Sequence, residues 1–404
     1  MRRLLFLLPI VGLACSCFGE SPHEREERRG PEVSSNDLLL VSLGPTFPVD
    51  LLIEEDQGDM NDHSEEDVDQ RGRELLYRGQ VFGMDLAGLT AEAALDALQR
   101  APPLRALRLA PELLCDSRLR REVEVKAKVA LALTLTGVMD SSVPLRCVAA
   151  LRTEALFLEI SVADSGVFSP LRGHPGIRHL EVRGRSVGNP VAEFARSLPQ
   201  LRSLVLAGTK VDDEGLEHIG RIRGLRRLVL SDTEISDRGL PALLTLEFLT
   251  ELVMWSTDVT GQGFTGFETL ASLRILELGG SAVDDRGMVA IAAIRTLNSL
   301  HLWGTAISDQ GVARLQGHPN LEDIQLWYTE IGDPSLPILQ SLPSLRNLGL
   351  GGTKVTEMGL EALAERSELE TLSLWSTEIG GNGLLFLRGL TELSELEIGG
   401  TRLE

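Results

Sequence analysis

Positive charge is scarce in this chain. Its 404 residues hold 39 Lys and Arg against 59 Asp and Glu, a net charge of −20. Phosphate backbones require clustered cations, so nucleic acid is excluded as a partner and an anionic membrane surface is disfavoured. Aromatic residues make up only 4% of the chain, which suits a narrow interior filled by aliphatic side chains. Cysteine is limited to four residues, and no Cys-x-x-Cys pair or Cys/His cluster has metal-ligand spacing. The seven histidines include no His-Glu-x-x-His, and neither a Gly-x-Ser-x-Gly elbow nor a phosphate-binding Gly-rich loop with Lys occurs. His174 and His318 each follow Gly and precede Pro ahead of a new strand, so they read as repeated loop features. These absences point away from an enzyme, and no cofactor or metal is expected.

What is present is a repeat. From Leu201 onward, blocks of 24 residues begin at Leu201, Leu225, Leu249, Leu273, Leu297, Leu321, Leu345, Leu369 and Leu393 without an insertion. Each opens Leu-x-x-Leu-x-Leu, as in Leu345, Leu348 and Leu350, with Met254, Ile324 and Ile398 as apolar replacements, and carries Thr at the ninth position except for Ser281. A period of this length marks a solenoid, in which each unit buries its apolar face only against its neighbours. The alternation within Leu-x-Leu is that of a strand with one buried face. The ninth-position hydroxyls can bond the backbone where the chain leaves the strand, and stacking would turn them into a ladder. After each strand, a Ser, Thr or Asp precedes a short helix whose Leu240, Leu243 and Leu246 face inward. Gly recurs at one repeat position, mostly two residues after an Asp (Gly239 and Gly311, with Gly263 following Gly261), which suits a close approach to the neighbouring coil, and Ser335 is the irregular member. The expected fold class is α/β: a leucine-rich solenoid or horseshoe, with about thirteen parallel strands on a concave face and short helices on the convex face.

Upstream the spelling loosens. Ile177, Leu180 and Val182 keep the register, and Leu156, Leu133 and Leu104 extend it at less even spacing. The expected organisation is a signal over 1–19, an acidic tether over 20–75, an N-terminal cap over 76–103 with a helix starting at Thr90, and the solenoid over 104–404. Met1 to Gly19 has two arginines, an apolar run and small residues, the grammar of an export signal. Gly12-Leu13-Ala14-Cys15 is similar to a bacterial lipobox, with Cys17 a second candidate for lipidation, and simple secretion stays open beside it. Any membrane association would come through that N-terminal lipid anchor. Asp50 to Asp69 carries ten acidic residues and no Lys or Arg, so it reads as a solvated tether. Cys115 and Cys147 occupy different repeat positions, and the expectation is two buried thiols, although an exported chain would permit a disulfide.

This spelling resembles leucine-rich repeat proteins, specifically the bacterial variety related to ribonuclease-inhibitor-like and F-box-associated arrays. The resemblance covers about 300 of the 404 residues. It implies a non-catalytic binding scaffold, usually for protein. It names no ligand. A role as an F-box-like recognition subunit of a ubiquitin ligase would need a helix bundle ahead of the repeats, and none is legible.

Tryptophan is the concentrated feature. All four, Trp255, Trp303, Trp327 and Trp375, hold the seventh repeat position, which alternation turns out from the sheet. Gly279 and Gly351 hold the same position between pairs of them, so indoles two strand spacings apart, about 10 Å, could flank a slot floored by glycine. In the other arrangement each indole lies down on its glycine neighbour. Tyr328 and His301 adjoin the row, and Glu277, Asp323 and Glu397 share its face. A protein or glycan ligand on that face is the expected function, with an architectural envelope protein as the alternative.

Overall fold

The computed structural model describes residues 73–402, apart from 78, 79, 87, 102, 105, 127–130, 140–142 and 161–164. The export signal, Cys15, Cys17 and nearly all of the expected tether lie outside the described residues. The described chain divides into two compact units that meet at Val205/Leu206.

The N-terminal unit holds β1 (Arg73–Tyr77), β2 (Gln80–Asp85), β3 (Ala106–Leu109), β4 (Leu131–Met139), β5 (Thr153–Ile160), β6 (His179–Arg183) and β7 (Ser203–Val205). Strands β1 and β2 form an antiparallel hairpin, which the repeat spelling does not announce, and β2 to β7 pair in parallel in chain order. Between β2 and β3 runs helix α1 (Ala91–Arg100), where the Thr90 hydroxyl accepts from Ala93 N at 3.3 Å and Ala94, Ala97 and Leu98 are buried. The loosely spelled repeats are real: Leu107, Leu109, Leu133, Leu135, Leu156, Leu158, Leu180 and Val182 are all buried. The helical sides are irregular, with Ser117–Lys126 as helix α2 and Val143–Val148 as helix α3.

The C-terminal unit holds β8 (Arg227–Val229), β9 (Glu251–Val253), β10 (Ile275–Glu277), β11 (Ser299–His301), β12 (Asp323–Gln325), β13 (Asn347–Gly349), β14 (Thr371–Ser373) and β15 (Glu395–Glu397), all parallel. Pairing follows the 24-residue offset without a slip, so residue i lies beside i+24. With β3 to β7 this makes thirteen strands at one per repeat, as the spelling predicts. The inward leucines, such as Leu300, Leu302, Leu348 and Leu350, are essentially without solvent contact. Truncating one of them to Ala should cost about 2–5 kcal/mol.

The return segments are short helices, as expected, some of them α-helical, such as Asp213–Ile219 and Leu336–Gln340, and some tighter. Leu240–Thr245, Ala313–Leu315 and Gly381–Gly389 are 3-10 turns, although Leu240, Leu243 and Leu246 do face inward. In the first of these Pro241 removes a backbone donor from the opening turn.

The polar columns explain the regularity. Each ninth-position hydroxyl donates to the carbonyl three residues back: Thr233 to Leu230 at 2.5 Å, Thr305 to Leu302 at 2.6 Å, Thr353 to Leu350 at 2.6 Å. These bonds stay within one repeat, so the expected ladder between repeats is not formed by Thr. Asp forms it instead. Asp285 accepts from Ser308 N at 2.7 Å and Ser308 Oγ at 2.6 Å, Asp213 does the same with Ser236, Asp237 with Thr260 and Asp333 with Thr356. Where Gly332 lacks the hydroxyl, Asp309 takes Gly332 N at 2.9 Å and reaches Ser335 Oγ at 2.6 Å, so the irregular serine restores the missing bond. Gly263 and Gly311 are required here, since a methyl on either would press on Asp237 or Asp285 of the preceding repeat.

Candidate functional site

Unbroken pairing at the repeat period aligns outward side chains of successive strands into columns. On β10 to β12 the columns bring Glu277, His301 and Asp323 together. His301 Nδ1 is 3.8 Å from Glu277 Oε1, and His301 Nε2 is 3.0 Å from Asp323 Oδ2. Ser299 Oγ lies 3.1 Å from the same imidazole nitrogen and 3.3 Å from Asp323 Oδ2, while Gln325 Nε2 donates to Asp323 Oδ1 at 2.6 Å. All three ionisable side chains are largely buried, and the burial shapes their charge. It opposes protonation of His301, but the hydrogen bond to Asp323 and the charges of Asp323 and Glu277 outweigh it and raise the imidazole pKa above its ordinary value. Burial also pushes the Glu277 carboxyl up, with His301 pulling the other way. For Asp323 burial is overcome by hydrogen bonds and charge from His301, and its pKa falls below the ordinary value. Among the described residues no group of three or more His, Cys, Asp or Glu is arranged to hold a metal ion.

Three of the four indoles lie down over glycine. A methyl on Gly279 would overlap the Trp303 ring, one on Gly351 would overlap Trp375, and one on Gly349 would overlap Trp327 and Gln325. Trp303 and Trp327 are only 7% and 8% exposed. Trp255 and Trp303 meet edge to face with ring centroids 5.9 Å apart, so the expected slot over Gly279 is closed. The reason is the missing side chain: glycine leaves bare backbone on a sheet surface, and the neighbouring indole gains more by covering it than by standing in water.

Tyr328 behaves differently. It is 41% exposed and packs edge to face on Trp375 at 4.9 Å. Its backbone has φ of 53°, as the turn after every strand of this unit demands at the eighth position. Gly208, Gly280, Gly304, Gly352 and Gly400 hold that position elsewhere, with Asp232, Ser256 and Ser376 in the remaining repeats. A bulky aromatic residue in the left-handed region is strained by roughly 1–2 kcal/mol.

Glu397 stands apart on β15, accepting from Ser373 Oγ at 2.7 Å. Three contributors escape the sequence reading: Ser299, Gln325 and Gly349. Gly349 was legible as the one glycine in the fifth-position column, where Val, Glu, His, Gln and Ser stand in other repeats of the C-terminal unit. The fifth- and third-position columns of β8 to β15 also carry Arg227 bonded to Glu251 at 2.7 Å. These columns thus carry five carboxylates (Glu251, Glu277, Asp323, Glu395 and Glu397) against one arginine, Arg227, and one histidine, His301.

Comparisons agree with this architecture. The leucine-rich repeat family pattern matches residues 198–220 and 269–292. No curated protein matches the chain. Among solved structures, an internalin from Listeria monocytogenes is similar with a TM-score of 0.51 at 17% identity, covering 78% of this chain and 89% of that one. The mouse RP105/MD-1 complex is similar with a TM-score of 0.53 at 17% identity, covering 81% of this chain and 69% of that one. At such identity the likeness concerns the fold, and with the parallel strands at one per repeat it shows an α/β leucine-rich repeat fold.

Proposed function

We propose that the chain is a non-catalytic, exported scaffold that binds a protein partner on the strand face of its C-terminal unit. Tyr328 is the observation that carries this reading. An aromatic ring held half open on a backbone that favours glycine is costly to the fold, and such strain persists where something other than stability is served. Contact centres on Tyr328, Trp375 and Trp255, with Trp303 and Trp327 forming the floor beneath and His301, Glu277, Asp323 and Glu397 setting specificity. Five carboxylates on that face favour a partner that brings Lys or Arg, whose cations also rest on indole and phenol faces. The closed gap between Trp255 and Trp303 favours a protein over a sugar ring inserted between indoles. RP105 is seen with MD-1, which supports a protein partner by fold analogy alone. Export with a lipid on Cys15 or Cys17 belongs to the same reading and would hold the scaffold at an envelope surface.

A photocrosslinking residue placed at position 328 in the native host tests it, with Val289 on the helical side, 56% exposed, as the control position. One reproducible, identified protein adduct from 328 and none from 289 is expected. No adduct from 328, or the same adducts from both positions, overturns the reading.

A further inference from the structure

We propose that Cys115 and Cys147 close as an intramolecular disulfide that pins the helical sides of two successive N-terminal repeats. Their repeat positions predict two separate, buried thiols. Instead Cys115, at the end of the Pro111–Cys115 turn that follows β3, is exposed, and its Sγ lies 3.0 Å from Sγ of Cys147 on α3, which follows β4. They are 32 residues apart in sequence, more than one regular repeat. The extra length lies in β4, where Leu135 still pairs with Leu109 but the strand runs on to Met139 with a register shift. That extension carries α3 far enough along its repeat to meet the turn of the repeat before.

The bond would supply what the polar columns supply elsewhere. Asp116 stands at the repeat position of the C-terminal clasping aspartates, but it caps its own helix, accepting from Arg118 N at 2.7 Å and Leu119 N at 3.4 Å. A hydrogen bond from the Arg118 side chain, joined by those backbone donors, holds its carboxyl at about 2, so it stays an anion committed to α2. Partial desolvation of this exposed thiol and the neighbouring sulfur push the Cys115 thiol up to about 11, so thiolate is scarce near neutral pH and closure should be slow without a catalyst. The chemistry needs a disulfide donor of the glutathione type. One thiolate attacks a donor sulfur and expels a thiolate; the second then attacks the mixed disulfide at the protein sulfur and expels the other. The two protons lost from the cysteines end on the two released donor thiols, so the protein pair is oxidised and the donor reduced.

The experiment uses the full chain with Cys15→Ser and Cys17→Ser, leaving Cys115 and Cys147 as its thiols, equilibrated with oxidised glutathione. Expected are loss of both alkylatable thiols, a proteolytic peptide pair joined through Cys115 and Cys147, and a thermal midpoint roughly 5–15 °C higher than after reduction. A further Cys147→Ala change should abolish both the joined peptide and the sensitivity to reductant. The proposal is overturned if both thiols remain alkylatable after equilibration, or if each ends with its own glutathione. It is equally overturned if the joined peptide forms only in denaturant.

Discussion

The two units solve one problem by different means. In the C-terminal unit every repeat has the same length, so Asp213, Asp237, Asp285, Asp309 and Asp333 each reach the next coil at the same place, Glu357 does so at Gly380 N, and Gly261 and Gly381 leave that position without a side chain. In the N-terminal unit the spacing varies, and each junction is held individually: Lys126 Nζ donates to Ala101 O at 2.5 Å, His174 Nε2 meets Leu151 O at 3.2 Å, and Phe168 stacks on Phe194 with centroids 4.7 Å apart. A regular period lets the same bond recur, whereas an irregular one needs a separate contact at each step. The regular unit also presents an ordered outer face, because columns of side chains line up only when no strand slips.

The largest expected effect falls on that face. Trp303→Ala and Trp327→Ala remove nearly buried indoles from over glycine-floored backbone, so each should cost about 3 kcal/mol or more by denaturant unfolding. If either change costs under about 1 kcal/mol, well short of a buried aromatic truncation, the indoles are not sheet cover. Next come the clasps. Asp285→Ala strands Ser308 N and should cost about 1–3 kcal/mol, with hydrogen-exchange protection lost first in the repeats flanking Ser308. Thr305→Val, which leaves the Leu302 carbonyl without its hydroxyl, should cost a similar amount within one repeat. Asp116→Ala should loosen only α2, with hydrogen-exchange protection lost within Ser117–Lys126 and not beyond it. Uniform loss of protection along the C-terminal unit after Asp285→Ala would contradict neighbour-only coupling.

Much of this was legible in the sequence, and the gaps have physical causes. Thirteen strands, the Thr column and the glycine approach followed from the period alone. The Asp clasp was hidden because Asp also reads as a helix cap, and in Asp212 and Asp284 it does cap. The Cys115 and Cys147 contact was hidden because repeat position predicts neighbours only while repeats keep one length. The indole row was found, but its posture depends on which way each ring tips over a glycine, and one-dimensional spacing holds no record of that.

Smaller effects come from pH, and two histidines of the C-terminal unit should respond in opposite directions. His301 has a folded pKa above 6.5, so it adds stability that is present below pH 6.5 and lost as pH rises through the folded value. His318 is fully buried, with Nε2 3.1 Å from Ile294 O, and burial pushes its pKa below 6.5. Its contribution is present above pH 6.5 and lost as pH falls toward the folded value. In titrations of stability, His301→Asn should flatten the curve above pH 6.5 and His318→Asn should flatten it below. Asp323→Asn should bring the His301 titration, followed by ring proton shifts, back toward 6.5. An unmoved titration would remove Asp323 as its partner.

The central claim is that Tyr328 is retained for binding at a cost to the fold, and Tyr328→Gly tests it most directly by denaturant unfolding. Glycine relieves the left-handed strain at φ of 53° but forfeits the packing on Trp375 and adds unfolded-state entropy, so the account predicts unchanged stability or a gain of up to about 1 kcal/mol. A loss of about 2 kcal/mol or more, the size of a core truncation, would make the tyrosine a structural residue and remove the main support for the strand face as the binding surface.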